Sequence, residues 1–204
     1  MRTEIRVSGY GGQGVILAGY IIGKATAIFE KKHATLTQSF GPEARGSACS
    51  AQVICSDEPI HYPYIRKPHI LIAMSQEAYT KFEPELDSNG MLLIDEDLVK
   101  AKPPRDNIRM FPIPATRLAE QLGRRIVLNI VMLGFFTAVT GAVSKEAMEK
   151  AVLSSIPKGT EEINSKAFHT GYDYGVQLLA SIPTQQEQVP ASRGRTKSKA
   201  PAEG

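Results

Sequence analysis

Six residues near the start of the chain, Gly9-Tyr10-Gly11-Gly12-Gln13-Gly14, restrict its fold more than any other feature. They satisfy G-x-G-x-x-G and stand between a run that reads as a strand, Ile5-Arg6-Val7-Ser8, and one that reads as a helix, Val15 to Phe29. The helix is read from spacing: Ile16, Leu17, Tyr20, Ile21, Ala25 and Ile28, with the aliphatic stem of Lys24, fall on one face. Glycine tolerates the positive φ of such a turn and lets backbone approach an anion closely. The free N–H groups of the next helix then point at that anion. The same glycines also serve a tight turn that holds no ligand. A strand, a glycine loop and a helix in that order predict an α/β domain and leave the ligand open.

The rest of the chain continues the alternation. Ala34 to Thr37 reads as a second strand, and Ser39 to Gly46 as a loop with Gly41-Pro42 inside it. Ala51, Val53 and Cys55 alternate with Ser50, Gln52 and Ile54 in a third strand. Ile70 to Met74 and Met91 to Asp95 are continuous apolar runs, the pattern of parallel strands covered on both faces. A helix over Gln76 to Phe82 separates them. Ile108 to Ile113 reads as a further strand and Ala115 to Leu122 as a helix. The last part is helical: a buried helix from Val127 to Val139, one capped by Ser144 and ending near Ile156, and one starting at Thr160-Glu161-Glu162 and reaching about Leu179. The prediction is a three-layer α/β domain over residues 1–182, with a mostly parallel sheet, a glycine-rich loop after the first strand and a helical C-terminal part. Residues 183–204 have almost nothing to bury and read as a disordered, polar and basic tail.

Charge excludes one class of function. The net charge of +3 sits largely in that tail, where Arg193, Arg195, Lys197 and Lys199 face only Glu187 and Glu203. The body is close to neutral and makes no case for nucleic-acid binding. Met1-Arg2-Thr3-Glu4 has no signal-peptide layout, and the longest apolar run is too short for a bilayer, so a soluble, cytoplasmic protein with no membrane partner is expected. Cys49 and Cys55 are six positions apart on one strand, roughly 20 Å at about 3.3 Å per residue. A disulfide needs Cα atoms within about 7 Å. Two isolated thiols also fall short of the four that an iron–sulfur cluster wants. His33, His61, His69 and His169 show no metal spacing, and no metal site is expected. Asp95-Glu96-Asp97 reads as a solvated acid run after a strand, with Mg²⁺ coordination as the competing reading. Lys24, Lys31 and Lys32 read as a solvated helix end. No catalytic constellation stands out.

The type of phosphate compound is narrowed by an absence of acid. A NAD site carries an acid at the end of strand two, on the ribose hydroxyls. Thr37, Gln38 and Ser39 fill that position, and Glu30 lies at the wrong end of the strand. The nearest charges downstream are Glu43 and Arg45. An arginine suits an extra ribose phosphate, so NADP or coenzyme A fits better than NAD.

The glycine loop together with Gln38-Ser39-Phe40-Gly41-Pro42-Glu43-Ala44-Arg45-Gly46 resembles the gamma subunit of 2-oxoacid:ferredoxin oxidoreductases. Further likenesses are Met74-Ser75-Gln76-Glu77-Ala78, Pro114-Ala115-Thr116, Asn129 to Gly134, and Asn164, Ala167, Phe168, Gly171 and Tyr172. Together they run in order over roughly residues 3 to 180. One departure is Ser47, where many members carry a second glycine. The wording of the motif around Gln38 to Arg45 resembles 2-oxoglutarate-type members more than pyruvate-type ones, which usually show an arginine pair there.

The resemblance implies a chain that is inactive alone. It implies coenzyme A as the substrate met here, with thiamine diphosphate, Mg²⁺ and [4Fe–4S] clusters on partner subunits. Those partners would be the alpha, beta and delta subunits of the same enzyme, through which ferredoxin is reduced. The positions that match ligand-facing motifs are Tyr10, Gly11, Gly12, Gln13 and Gly14, then Arg45, Gly46 and Ser47, and Asn129. Arg45 offers a bidentate fork to phosphate, and Gln13 and Asn129 offer amide groups. A subunit of a permanent complex should expose apolar residues, here expected around Tyr62 to Ile65. Two other readings stay open at the level of residues. A stand-alone NADP-dependent reductase would want a Tyr-x-x-x-Lys dyad, but Tyr62 is followed at that spacing by Arg66 and Tyr79 by Glu83. A non-enzymatic nucleotide-binding adaptor would use the basic tail to reach acidic partners.

Overall fold

A computed structural model describes residues 1–39, 48–105 and 107–182. The loop carrying Arg45, Gly46 and Ser47 and the tail over 183–204 both lie outside the described residues. Among the described residues six strands form one sheet: β1 (Arg2–Tyr10), β2 (His33–Ser39), β3 (Ala48–Ser56), β4 (Ile70–Ala73), β5 (Met91–Asp95) and β6 (Arg109–Ile113). Six helices accompany them: α1 (Val15–Lys24, prolonged by a π-helical stretch, Ala25–Phe29), α2 (Gln76–Phe82), α3 (Ala115–Gln121), α4 (Leu128–Thr140), α5 (Lys145–Leu153) and α6 (Glu161–Ser181). No helix among the described residues is long and apolar enough to cross a membrane.

The strands lie in the order β2-β3-β1-β4-β5-β6. From β1 to β6 all neighbours are parallel, while β3 runs antiparallel to both β1 and β2. The sheet is therefore mostly parallel, as its apolar runs predict, with an antiparallel insertion. Alternation along each strand divides the core. Ile70, Ile72 and Leu93 face a large layer built from α1, α3, α4, α5 and α6, while Leu71, Ala73, Leu92 and Ile94 face α2. One residue of β1 breaks the apolar rule. The Arg6 guanidinium is buried over the Phe82 ring, 4.7 Å from its centre, and pairs with Glu85.

The helix ends follow local chemistry only in part. Ser75 and Ser144 cap α2 and α5 by accepting from Ala78 N–H and Ala147 N–H. Thr160 starts α6 but caps nothing with its side chain, since its hydroxyl donates to Pro157 O at 2.6 Å. Of the three lysines expected at a solvated helix end, Lys31 is exposed and the other two are engaged. Lys24 Nζ donates to Ser154 O and Ser155 Oγ, and Lys32 pairs with Glu30 and Asp57.

Candidate functional site

The glycine loop lies at the carboxyl end of β1 and is shaped by one side chain. Gln13 Oε1 accepts from Tyr10 N–H at 2.6 Å, and Gln13 Nε2 donates to Met74 O at 2.8 Å, at the end of β4. The β1 loop leads to α1 on one face of the sheet and the β4 loop to α2 on the other, so the crevice of an open α/β sheet falls between these two strand ends. Gln13 bridges that crevice. Its amide, expected from sequence to face a ligand, ties the two strand ends together.

Beyond Gln13 the backbone takes positive φ at Gly12 (+94°) and Gly14 (+72°). Gly14 is fixed twice over, because a Cβ there would run into the Asn129 side chain. Asn129, at the first turn of α4, donates from Nδ2 to Gly14 O at 3.4 Å and is buried. Asn129 and the glycine loop, 115 positions apart, are thus brought together as their shared motif status suggests.

They open onto a cavity of about 380 Å³, at the lower end of the roughly 300–1,000 Å³ found for small-molecule sites. Three helix starts converge on it. Gly14 precedes α1, Val127 precedes α4 and Thr160 precedes α6, and none of the three is capped by a side chain. Uncapped N–H groups and the positive ends of helix dipoles favour an anion, by about 0.3–1 kcal/mol each when exposed and up to about 2 in partly buried geometry. α1 and α4 have no acid in the first turn, whereas α6 has Glu161 and Glu162. The pull on an anion therefore comes chiefly from α1 and α4. The walls are otherwise apolar: Leu17, Ile126, Ile130, Ile156, Pro157 and Ile163. Arg124 stands at one side, where an adjoining polar hollow of about 290 Å³ begins and runs to Lys166. Lys166 itself is paired with Glu162 at 2.6 Å.

Arg124 and Thr160 are not among the ligand-facing residues that the sequence motifs suggest; Thr160 is expected there only as a helix start. The available signal was the missing cap before Leu128, next to Arg124-Arg125. Tyr10 and Gly11 are exposed on the loop and do not line the cavity. Arg45, Gly46 and Ser47 lie outside the described residues; Ser39 and Ala48 flank their segment, and Ala48 is the register partner of Tyr10. The sheet order corrects one premise. β3 separates β2 from β1, so the end of strand two is two strand spacings from the loop, about 10 Å, and is not its neighbour. The missing acid there is a consequence of topology as much as of ligand choice.

The acid run is another correction. Asp95 is fully buried and accepts from Thr116 Oγ1 at 2.6 Å and from the N–H groups of Thr116 and Asp97. Asp97 accepts from Arg117 N–H at 2.9 Å, and Arg117 pairs with Glu96 and Asp97. The run fastens the start of α3 to the end of β5; Asp95 is shut off from solvent, whereas Glu96 and Asp97 are exposed, as expected, and pair with Arg117. Burial pushes the Asp95 carboxyl above the ordinary range, with the Thr116 hydroxyl pulling the other way. The cysteines are buried and unbridged, and burial pushes the Cys55 thiol up to about 11. Among the described residues no three His, Cys, Asp or Glu side chains group as a metal site would need. Of the expected patch, Tyr62 and Tyr64 are exposed in an edge-to-face pair, while Ile65 is buried.

Residues 4–174 match the family described as pyruvate ferredoxin/flavodoxin oxidoreductase. The 2-oxoglutarate synthase subunit KorC of Methanocaldococcus jannaschii is 53% identical over 180 residues, 87% of this chain and 96% of that one. The gamma subunit of a keto/oxoacid ferredoxin oxidoreductase from Geobacter sulfurreducens is similar in structure. Its TM-score is 0.77 at 44% identity, covering 86% of this chain and 99% of that one. The same fold, at 22% identity and TM-score 0.77, makes up 32% of a chain of 2-oxoglutarate:ferredoxin oxidoreductase from Magnetococcus marinus, solved with 2-oxoglutarate, coenzyme A and succinyl-CoA bound.

Proposed function

The chain belongs to the pyruvate ferredoxin/flavodoxin oxidoreductase family, as a gamma-type subunit of a 2-oxoglutarate:ferredoxin oxidoreductase, and on that premise we propose that its cavity receives the phosphate-bearing part of coenzyme A. The carrying observation is the cavity itself, with a glycine loop and two acid-free helix starts at one end and an apolar wall beside them. A pyrophosphate meets the N–H groups of Gly12 and Gly14 and the start of α1, while the pantetheine arm lies along Leu17, Ile126 and Ile130. Gln13 holds the loop open at the right shape, and Asn129 fixes Gly14. Arg124, at the side of the cavity, supplies a charge-assisted contact to phosphate, and Arg45 is read from its sequence motif as a second.

Thiamine diphosphate, Mg²⁺ and iron–sulfur clusters are carried by partner subunits of the alpha, beta and delta kinds. The donor set of this chain does not fit a cluster, because its two thiols are buried on one strand and Cys55 is held protonated. No electron transfer step runs through this chain. Its share is to bind coenzyme A and present the thiol end to the neighbouring subunit, where the acyl group is made.

Reconstitution tests this. The isolated chain should show no coenzyme A-dependent ferredoxin reduction, and the assembled complex should. Asn129→Ala in that complex should raise the KM for coenzyme A and leave that for 2-oxoglutarate nearly unchanged. Equal rises in both, or none in the coenzyme A value, would remove the cavity from the coenzyme A site.

A further inference from the structure

Helix α1 lies at the surface, yet its outer face is not that of a surface helix. From Val15 to Phe29, the π-helical stretch included, the exposed residues are Leu17, Tyr20 and Ile28, two of them aliphatic and none charged. A helix that meets water turns charged side chains outward, as α5 does with Glu146 and Lys150. The one charged residue of the stretch, Lys24, is half-buried and engaged with Ser154 O and Ser155 Oγ. The apolar face begins at the cavity. Leu17 and Ile126, 36% and 76% exposed, are wall and rim at once, so the cavity opens to solvent beside them. Tyr20, 49% exposed, follows one turn along α1, and with Ile28 and Leu36 it borders a groove of about 270 Å³. From Leu17 to Ile28 the face is roughly 16 Å long, at about 1.5 Å per residue.

We propose that this face seats the subunit that carries thiamine diphosphate, which thereby roofs the mouth of the cavity. On the coenzyme A reading, on which this assignment rests, the pantetheine arm leaves past Leu17 and Ile126. Its thiol has to meet the acyl group made on the neighbouring subunit, and group transfer requires reacting atoms within about 3–3.5 Å. The subunit on which the acyl group is made must therefore stand at this mouth. The apolar face continues from the mouth without a free charge, so the same subunit can extend along α1 to Ile28. A second copy of this chain would close the mouth with a surface that makes no acyl group, and thiol and acyl group would never meet. A specific interface buries about 800 Å² on each side, so Leu17, Tyr20, Ile28 and Ile126 form its apolar core and a polar rim surrounds them.

Photo-cross-linking in the reconstituted enzyme tests the assignment. Tyr20→p-benzoylphenylalanine exchanges one exposed ring for a larger one and leaves the core untouched. Illumination should join this chain to the subunit that carries thiamine diphosphate. A cross-link to a second copy or to any other subunit overturns the proposal, and so does no cross-link in an enzyme whose activity shows that it is assembled. A second variant, Tyr20→Glu/Ile28→Glu, should weaken the affinity of this chain for its partner subunits by at least about tenfold, because it places two charges in the apolar core of the contact. The melting temperature of the isolated chain checks that this variant folds. A folded variant that binds its partners as tightly as the wild type overturns the proposal as well. Neither residue lines the coenzyme A cavity. A wrong coenzyme A reading therefore shows itself in the KM of Asn129→Ala and leaves the cross-link unmoved.

Discussion

Gly134 and Gly171 lie against each other's helix where α4 crosses α6: a Cβ on Gly134 would collide with the Phe168 carbonyl oxygen, and one on Gly171 with that of Val131. The two backbones touch there without side chains between them, which explains physically why both glycines stand in the motifs of the last helices. The contact also sets the cavity, because the starts of α4 and α6 form two of its sides. Gly171→Ala should destabilise by about 1–3 kcal/mol or more, since carbonyl oxygens of two packed helices cannot give way separately. At roughly 2–4 °C per kcal/mol for a domain of this size, the melting temperature should fall by several degrees. Gly23→Ala is the control. Its Cβ would meet only Val53 at 3.9 Å, and removing a helical glycine should stabilise by about 0.5–1 kcal/mol. Equal melting temperatures for the two variants would mean that the crossing is not tight.

Gly14 and Asn129 should be coupled. Gly14→Ala suffers both the left-handed backbone, about 1–2 kcal/mol, and collision with the Asn129 side chain. Asn129→Ala alone loses one long hydrogen bond, about 0.5–1.5 kcal/mol. In the double variant the collision is gone, and the backbone strain and the lost hydrogen bond remain. Denaturant unfolding should therefore show less destabilisation than the sum of the two single changes. Strict additivity would show that the two residues do not share this space.

Arg45 carries a prediction from sequence alone. Its replacement by Ala should remove a charge-assisted phosphate contact of about 1.5–3 kcal/mol, roughly a ten- to hundredfold loss of coenzyme A affinity. In the assembled enzyme this appears as a raised KM for coenzyme A with the oxoacid KM little changed. Arg45→Lys should recover only part, because a point charge does not reproduce the fork. If Arg45 instead pairs with Glu43 or a partner subunit, both KM values move together and assembly weakens.

Asp95 gives a pH dependence opposite to that of most paired carboxylates. Its folded pKa is raised by burial, so between the ordinary value of about 3.9 and that raised value the folded state holds a proton that the unfolded state has lost. Its contribution to stability is best at low pH and declines as pH rises through this window. Asp95→Asn keeps an acceptor for the N–H groups of Thr116 and Asp97 and removes the titration. The difference in unfolding free energy between Asp95→Asn and the wild type should shift in favour of the variant as pH rises from about 4 towards neutrality. A difference flat with pH would mean that the carboxyl titrates normally. Asp95→Ala should be worse than either across the range, by about 1–3 kcal/mol, because it leaves buried N–H groups unpaired.

Sequence alone determined the elements and the loop. The apolar runs at Ile70 and Met91 and the serine cap at Ser144 depend on interactions within a few residues, and those survive in the fold; the helix from Val15 survives too, but it buries Val15, Ala18 and Ile22 beside Ile21 and leaves Leu17, Tyr20 and Ile28 of the expected face exposed. The motif likeness also joined Asn129 to the glycine loop, without saying how they meet. Tertiary structure decided the rest. Period-two alternation says that residues 50–55 form a strand but not which neighbours it takes, and the antiparallel insertion of β3 between β2 and β1 removed the premise about an acid at the end of strand two. Asp95 looked solvated because nothing within a few residues reveals that Thr116, 21 positions on, will cover it. The cavity, likewise, exists only because three helix starts far apart in the chain converge, held by a crossing of α4 and α6 too close for any side chain. Local chemistry fixes what a segment is, whereas its partners depend on long-range packing that no short window of residues contains.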